Sequence, residues 1–426
     1  MFGKSRHLFL VLAVALLFRC FLFFSYHPWD LSDDPSLMND LLHQRSVFSI
    51  DTGRDDLWYH QSALNILSGV RVEPYRGPGY PFFIAVVYYL FGVHPWVVLL
   101  VQSVLDVFTV YLIYKISFLA FENRFVSFVS GVFYLLDVTT SYYVLQLMSE
   151  SMHNLLFLLS VYITLHAARA NSFVKLSLGG FFMALASYVR PAMLYYFLFV
   201  LFVLVFLTSR KKAVLSAVVA YFFVFSAVVF PLFLRNYMDY GFFSFSSVGG
   251  SHMCQWIASY VKARVDSIER SQASNILCKL NGTMRNPFVI SSYRKSIAIS
   301  YLSSHPVDFF WAYVAGVFGF LKETPLSLVS SEFSAYFTEN GVDSGLAYSV
   351  LRIFNLIFVS VLYSLFLFAV LRGKKSFYIV FFFLSVCFFA LVSGPNGAST
   401  FGRMRMPAQP FISILSAYGL SLVLKK

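Results

Sequence analysis

The chain has 426 residues, 58% of them hydrophobic, 19% aromatic and only 12% charged. Repeated apolar runs of about twenty residues in that background describe an integral membrane protein and exclude a soluble fold. The net charge of +12 would suggest nucleic acid in a soluble domain, but here the basic residues sit in short clusters that punctuate the apolar runs. That is the pattern of cytoplasmic loops, so nucleic-acid binding is set aside.

The first apolar run, about 7–26, follows Lys4 and Arg6 and ends in FFSYHPW without a small-x-small cleavage site. It is expected to be a retained anchor rather than a signal peptide. Beyond it, residues 27–96 form a first outer loop. This loop contains RDDLWYHQSALNILSG and then PYRGPGYPFF. Within Asp55–Gly69, the residues Trp58, Ala63, Ile66 and Leu67 make a loose helical stripe and predict a short helix lying on the membrane. Tyr80–Gly92, about thirteen residues, is too short to cross roughly 30 Å of hydrocarbon and is expected to lie along the outer interface.

Further spans are expected at 97–119, 125–143, about 152–168, 175–189, 192–208 and 213–234, one ending at Arg372, and two more at 376–393 and 408–424. Lys115, Arg124, Arg169, Lys175, the 210–212 cluster, the 372–375 cluster and Lys425-Lys426 then all face the cytoplasm. Of twenty acidic residues, only Glu122 falls in an inner loop, so the orientation is self-consistent. The expectation is an all-α polytopic protein, residues 1–426 forming a single membrane domain with about ten transmembrane helices, both termini inside, plus outer interfacial helices. Pro306–Leu321 is long enough to cross, but crossing would put the Arg372 cluster outside, so an outer interfacial helix is preferred there.

The second outer loop, 235–345, has mixed composition. It carries Cys254, Cys278 and the sequon Asn281-Gly282-Thr283. The two cysteines share an oxidising compartment and either pair or stay free, while Cys20 and Cys387 sit in spans as packing residues. The histidines are scattered; His27, His43 and His60 form no ligand pattern with a carboxylate or thiolate, so no metal site is expected.

Two adjacent carboxylates at a membrane boundary are costly unless solvated or used, which makes Asp55 and Asp56 the first candidates for chemistry. They also stand where they would cap the following helix and favour its dipole, and the two roles are compatible. Glu150 stands at a second, short outer turn, as a site acid or a solvated one. Asp106 and Asp137 lie within or near spans, where pairing with Arg19 or another polar neighbour is the expected explanation. Arg190, Arg235, Arg403 and Arg405 all fall on the side of Asp55. The planar guanidinium fork suits phosphate and stays charged when desolvated, although interfacial arginines also snorkel to lipid headgroups. Gly249-Gly250 could let backbone amides approach an anion or simply make a turn. Arg76, in PYRGPGYP, reads more as a loop charge than as a donor ligand.

The block Asp55-Asp56-x-x-Tyr59, with Ala63, Gly69, Pro74, PGYP at 78–81 and LFG at 90–92, resembles the first outer loop of the GT-C superfamily of membrane glycosyltransferases. It is most similar to bacterial relatives of the dolichyl-phosphate-mannose protein mannosyltransferases and of the lipid A aminoarabinose transferase. The likeness runs on through VLLVQSVLDVFTVYLIY, MSESMHNLLF, SYVRPA, PLFLRNY with SSVGGS, and RMRMPAQPFISILSAYGL; the match over 252–345 is weak. Each motif alone is weak; their order carries the resemblance.

The resemblance implies an inverting enzyme that takes a sugar from a polyprenyl-phosphate donor and gives it to an acceptor hydroxyl, of protein, lipid or glycan, on the extracytoplasmic face. A bacterial inner membrane with the site facing the periplasm or cell exterior is the implied setting, with membrane lipids and the lipid-linked donor as partners and no cofactor. Asp55 is implied as the base, with Asp56 second. Glu150 would bind the acceptor or orient the sugar, and Arg403 and Arg405, then Arg235 and Arg190, would contact the donor phosphate. Tyr59 belongs to the same motif. The rival readings are a transporter or flippase of lipid-linked sugars, and a non-catalytic assembly subunit. A transporter of this size commonly shows repeat symmetry or paired broken helices, and neither is visible in the sequence.

Overall fold

The computed structural model describes residues 6–26, 28, 55–170, 172–207, 211–280, 284–322, 344–374, 376–399 and 402–425. Lys4, His27, His43 and the Asn281 sequon lie outside these residues. Everything regular among the described residues is helical.

Helix α1 (Arg6–Tyr26) leads to the described part of the first outer loop. That part holds α2 (Asp55–Leu67) and α3 (Gly79–Phe91), the two short helices expected there. Helix α4 (Pro95–Phe121) starts on a proline, which needs no amide partner in a first turn. Helix α5 (Arg124–Leu135) starts at Asn123, whose side chain accepts from the amides of Phe125 and Val126. The expected continuous span 125–143 is broken: α5 and α6 (Val138–Val144) meet at a bend of 64°. Asp137 sits at the break and caps α6, its Oδ1 accepting from the Thr140 amide at 2.8 Å and hydroxyl at 3.0 Å. A carboxylate in the middle of an apolar run gave the backbone an alternative partner, and the helix restarts there.

Helices α7 (Glu150–Ala170), α8 (Phe173–Val189), α9 (Met193–Leu207) and α10 (Lys211–Tyr240) follow. Helices α8 and α10 run backbone to backbone, since a β-carbon on Gly180 would lie 2.6 Å from the Tyr221 carbonyl oxygen. The second outer loop folds into α11 (Val248–His252), a π-helical turn (Met253–Ala258), α12 (Ser259–Asp266), α13 (Arg270–Leu277), α14 (Pro287–Ser304) and α15 (Pro306–Leu321). Its two cysteines pair: Cys254 and Cys278 form a disulfide. The chain ends in α16 (Ser344–Arg372), α17 (Phe377–Ser393), a 3-10 segment (Gly394–Ser399), the single turn α18 (Gly402–Arg405) and α19 (Gln409–Val423).

Among the described residues, five helical stretches are long and apolar enough to cross a membrane, within α1, α4, α10, α16 and α17, and a sixth crossing is available if α5 and α6 form one broken span. Helices α3, α8, α9, α15 and α19 are apolar but shorter, so the expected ten full-length spans are not all present as such. The protein is integral to the membrane. Its core is knit by aromatic contacts such as Phe157 against Tyr196, Phe389 and Phe411. One buried polar network crosses it as expected: Arg19 Nε donates to Asp106 Oδ2 at 2.8 Å, and Tyr134 donates to Asp106 Oδ1 at 2.8 Å.

Candidate active site

The start of α2 is held by aromatic packing rather than by its own length. Tyr59, 3% exposed, packs edge-on against Tyr80 with ring centroids 4.7 Å apart, and its hydroxyl reaches Ser149 Oγ at 3.4 Å. The Tyr80 hydroxyl donates to Gln102, whose amide donates to the Gln146 carbonyl at 2.9 Å. These contacts fix α2 on α3, α4 and the turn before α7, and so aim Asp55.

Arg76 reaches Asp55 because the segment before α3 lies flat on the end of α8. A β-carbon at Gly77 would stand 2.1 Å from the Tyr188 carbonyl oxygen, so only glycine permits this approach. Arg76 Nη2 then donates to Asp55 Oδ1 at 2.5 Å. From the far end of the chain, the one-turn helix α18 brings Arg403, whose Nη2 donates to Asp55 Oδ2 at 3.0 Å and whose Nε donates to Glu150 Oε1 at 2.5 Å. The same Glu150 oxygen accepts from Arg190 Nη2 at 2.5 Å. The Arg403 guanidinium also lies 5.5 Å from the centre of the Tyr143 ring.

Thus Arg76, Asp55, Arg403, Glu150 and Arg190 form a continuous chain of alternating charge in which three guanidinium groups face two carboxylates. Glu150 is fully buried at the first turn of α7, where the helix dipole favours a negative charge, and its second oxygen, Oε2, has no hydrogen-bond partner among the described residues. Burial pushes the Asp55 carboxyl upward, but Arg76 and Arg403 outweigh it and hold the group below its ordinary value of 3.8. Asp55 is therefore an anion clamped between cations.

The sequence-derived candidates divide into three sets. Asp55, Glu150, Arg190, Arg403 and Tyr59 come together, and Arg76 joins them, correcting its reading as a loop charge. Asp56 is also buried and acts on His60: burial lowers the His60 imidazole and the Asp56 charge opposes that shift. Arg405 and Arg235 are placed elsewhere. Arg405 Nη2 donates to Asp137 Oδ2 at 2.8 Å with both side chains 2% exposed, and its Nη1 donates to the Tyr363 hydroxyl at 2.7 Å. It ties α18 to the α5–α6 break, two residues from Arg403 but a direction apart. Arg235 donates to the Val72 carbonyl at 2.9 Å and lies 3.6 Å from Asp239.

The second outer loop contributes residues that no sequence pattern singled out. Arg294, on α14, donates from Nη1 to Ser251 Oγ at 3.0 Å, and His252, next to Ser251 in the chain, is lowered by burial and feels the charges of both Arg76 and Asp55. Tyr75 is raised by burial and feels Arg76, Asp55 and Arg294. Gly250 makes the contact possible, because α11 presses so closely on α14 that a β-carbon there would lie 1.8 Å from the Ser291 carbonyl oxygen. The signal in the sequence was only Gly249-Gly250, which reads equally as a turn. Among the described residues, no group of three or more His, Cys, Asp or Glu side chains is placed to hold a metal ion; the converging groups are guanidinium and carboxylate.

Residues 74–234 match the family model described as dolichyl-phosphate-mannose-protein mannosyltransferase. The matched stretch contains Arg76, Glu150 and Arg190; Asp55 and Arg403 lie outside it and join them through the fold. Among solved structures, the oligosaccharyltransferase of Archaeoglobus fulgidus is similar in its apo form with a TM-score of 0.55 at 13% identity, covering 100% of this chain and 51% of that one. The same enzyme in complex with zinc and sulfate gives 0.53 at 12% identity, covering 97% and 49%. This chain shares the fold of that oligosaccharyltransferase. At such identity the likeness is one of fold, and the chain spans about half the length of the structures it matches. A structure of ArnT from Cupriavidus metallidurans bound to undecaprenyl phosphate is less similar, with a TM-score of 0.41 at 13% identity over 98% of this chain and 78% of that one. No curated protein matches the chain by sequence. The charge chain of Asp55 and Glu150 with three arginines joins the start of α2 and the segment before α3 to the start of α7, the end of α8 and α18.

Proposed function

We propose that the protein is an inverting glycosyltransferase that moves a sugar from a polyprenyl-phosphate donor to an acceptor hydroxyl, at the extracytoplasmic face of a bacterial inner membrane. The observation that carries this reading is the bridging of Asp55 and Glu150 by Arg403, with Arg76 and Arg190 at the two ends. The match of residues 74–234 to a mannosyltransferase family model and the fold shared with an oligosaccharyltransferase support it.

The chemistry follows from the charges. The acceptor oxygen forms a bond to the anomeric carbon while the bond from that carbon to the phosphate oxygen breaks, and the electron pair leaves with the polyprenyl phosphate. The acceptor proton passes to the Asp55 carboxylate. Negative charge grows on the departing phosphate, where guanidinium groups already fixed by carboxylates need little reorganisation to receive it. A carboxylate clamped between two arginines is a weak base. As the donor phosphate draws Arg403 and Arg76 toward itself, the proton affinity of Asp55 rises, so donor binding switches the base on. Glu150 keeps Arg190 and Arg403 oriented. In this scheme no cofactor takes part.

The test is turnover. Purified protein in liposomes with labelled polyprenyl-phosphate sugar should release polyprenyl phosphate and label an acceptor fraction. Movement of the donor across the bilayer without turnover would instead support a flippase.

A further inference from the structure

A pocket of about 630 Å³ opens at the opposite end of α2 from Asp55. It is lined at Ile66, eleven residues along the helix from Asp55, which is about 16 Å at 1.5 Å per residue. Its other walls come from the extended segment after α2, the start of α3 and the end of α10. We propose that this pocket holds the headgroup of an anionic phospholipid of the surrounding bilayer, with the acyl chains running down the outside of α3 and α10.

The lining is amphiphilic in the way such a ligand requires. Val70, Phe82 and Met238 are 55%, 60% and 76% exposed, an arrangement that is costly in water and favourable against acyl chains. The same lining holds Arg71, whose side chain is 78% exposed, and Arg235. Both point at one carboxylate: Arg71 Nη1 lies 3.0 Å from Asp239 Oδ1, and Arg235 Nε lies 3.6 Å from Asp239 Oδ2. Two guanidinium groups against one carboxylate leave a single positive charge, which matches the single negative charge of a phosphodiester. Among the described residues Arg71 is paired with Asp239 and has guanidinium donors to spare, so a phosphate oxygen can be added without breaking the pair. The Arg235 signal in the sequence, a guanidinium suited to phosphate, is thereby accounted for at a different site from the one expected.

The experiment uses the full chain in nanodiscs of phosphatidylcholine and phosphatidylglycerol, with native mass spectrometry counting the lipids retained on release. Wild type should keep phosphatidylglycerol in preference to phosphatidylcholine. Arg71→Gln should lower that retention about tenfold, the low end for a hydrogen bond to a charged group, and Asp239→Asn should raise it. Arg285→Gln, at an exposed arginine of the second outer loop, and Asp55→Asn should leave it unchanged, so the result is independent of whether sugar is transferred. Equal retention by wild type and Arg71→Gln would overturn the proposal. So would displacement of the retained phosphatidylglycerol by undecaprenyl phosphate, which would assign the pocket to the donor.

Discussion

Arg403 and Asp55 are 348 residues apart in sequence and 3.0 Å apart in space. Their pairing closes the helical body around the first outer loop, and it brings a guanidinium and a carboxylate to one place from the two ends of the chain. Since Arg403 also holds Glu150 at 2.5 Å, it is the hub of the charge chain. Arg403→Gln should therefore cost both substrate binding and rate. We expect at least a hundredfold loss in kcat/KM, while Arg403→Lys, which keeps the charge but loses the fork, should recover only part of it. Steady-state kinetics with a labelled polyprenyl-phosphate sugar checks this.

Arg405 should behave differently. Its pair with Asp137 is buried on both sides, so breaking it with Arg405→Gln leaves the buried Asp137 charge without its cation and should destabilise the protein by about 3–5 kcal/mol. The double variant Arg405→Gln with Asp137→Asn should lose less than the sum of the two single variants. Thermal unfolding in detergent reads both. Additive losses would contradict the pairing.

The approach of Arg76 depends on Gly77. A methyl at that position would meet the Tyr188 carbonyl oxygen at 2.1 Å, so Gly77→Ala must push the segment away from α8 and carry Arg76 off Asp55. Transfer should fall by at least tenfold with the membrane helices intact, as judged by circular dichroism and size-exclusion behaviour.

The acid response has a definite sign. The Asp55 carboxyl is held below 3.8 in the folded protein, because Arg76 and Arg403 outweigh the upward push of burial. A group depressed in this way adds stability that is present above its unfolded value and lost as pH falls through its folded one. The clamp should thus contribute fully from neutral pH down to about pH 4 and disappear below that. Melting curves against pH should show the loss in wild type and a flatter acid limb in Asp55→Asn. A wild-type loss centred between pH 5 and 7 that Asp55→Asn abolishes would contradict the assignment.

What the sequence disclosed follows from where its information is local. Charge segregation was enough to place Asp55, Glu150, Arg190 and Arg403 on one side, because each lies beside a helix end and helix ends are written in nearby residues. The two short helices of the first outer loop were legible for the same reason. Direction was not legible: Arg403 and Arg405 stand two residues apart, yet one turns to Asp55 and the other to Asp137, a choice made by the single-turn geometry of α18. The break in the third expected span was hidden because Asp137 reads as one acid in an apolar run, and only the capped Thr140 shows it restarting a helix. Arg294 and His252 were out of reach because the second outer loop is assembled by long-range contacts, with the Cys254–Cys278 bond and the α11–α14 packing setting their positions.

One substitution decides whether Asp55 is the base. Asp55→Asn preserves the size of the side chain and its place at the start of α2 but cannot accept the acceptor proton. With purified protein, labelled polyprenyl-phosphate sugar and an acceptor extract, transfer should fall by about a hundred- to ten-thousandfold while the variant remains folded and still binds polyprenyl phosphate. Transfer by Asp55→Asn at the wild-type rate would contradict that assignment.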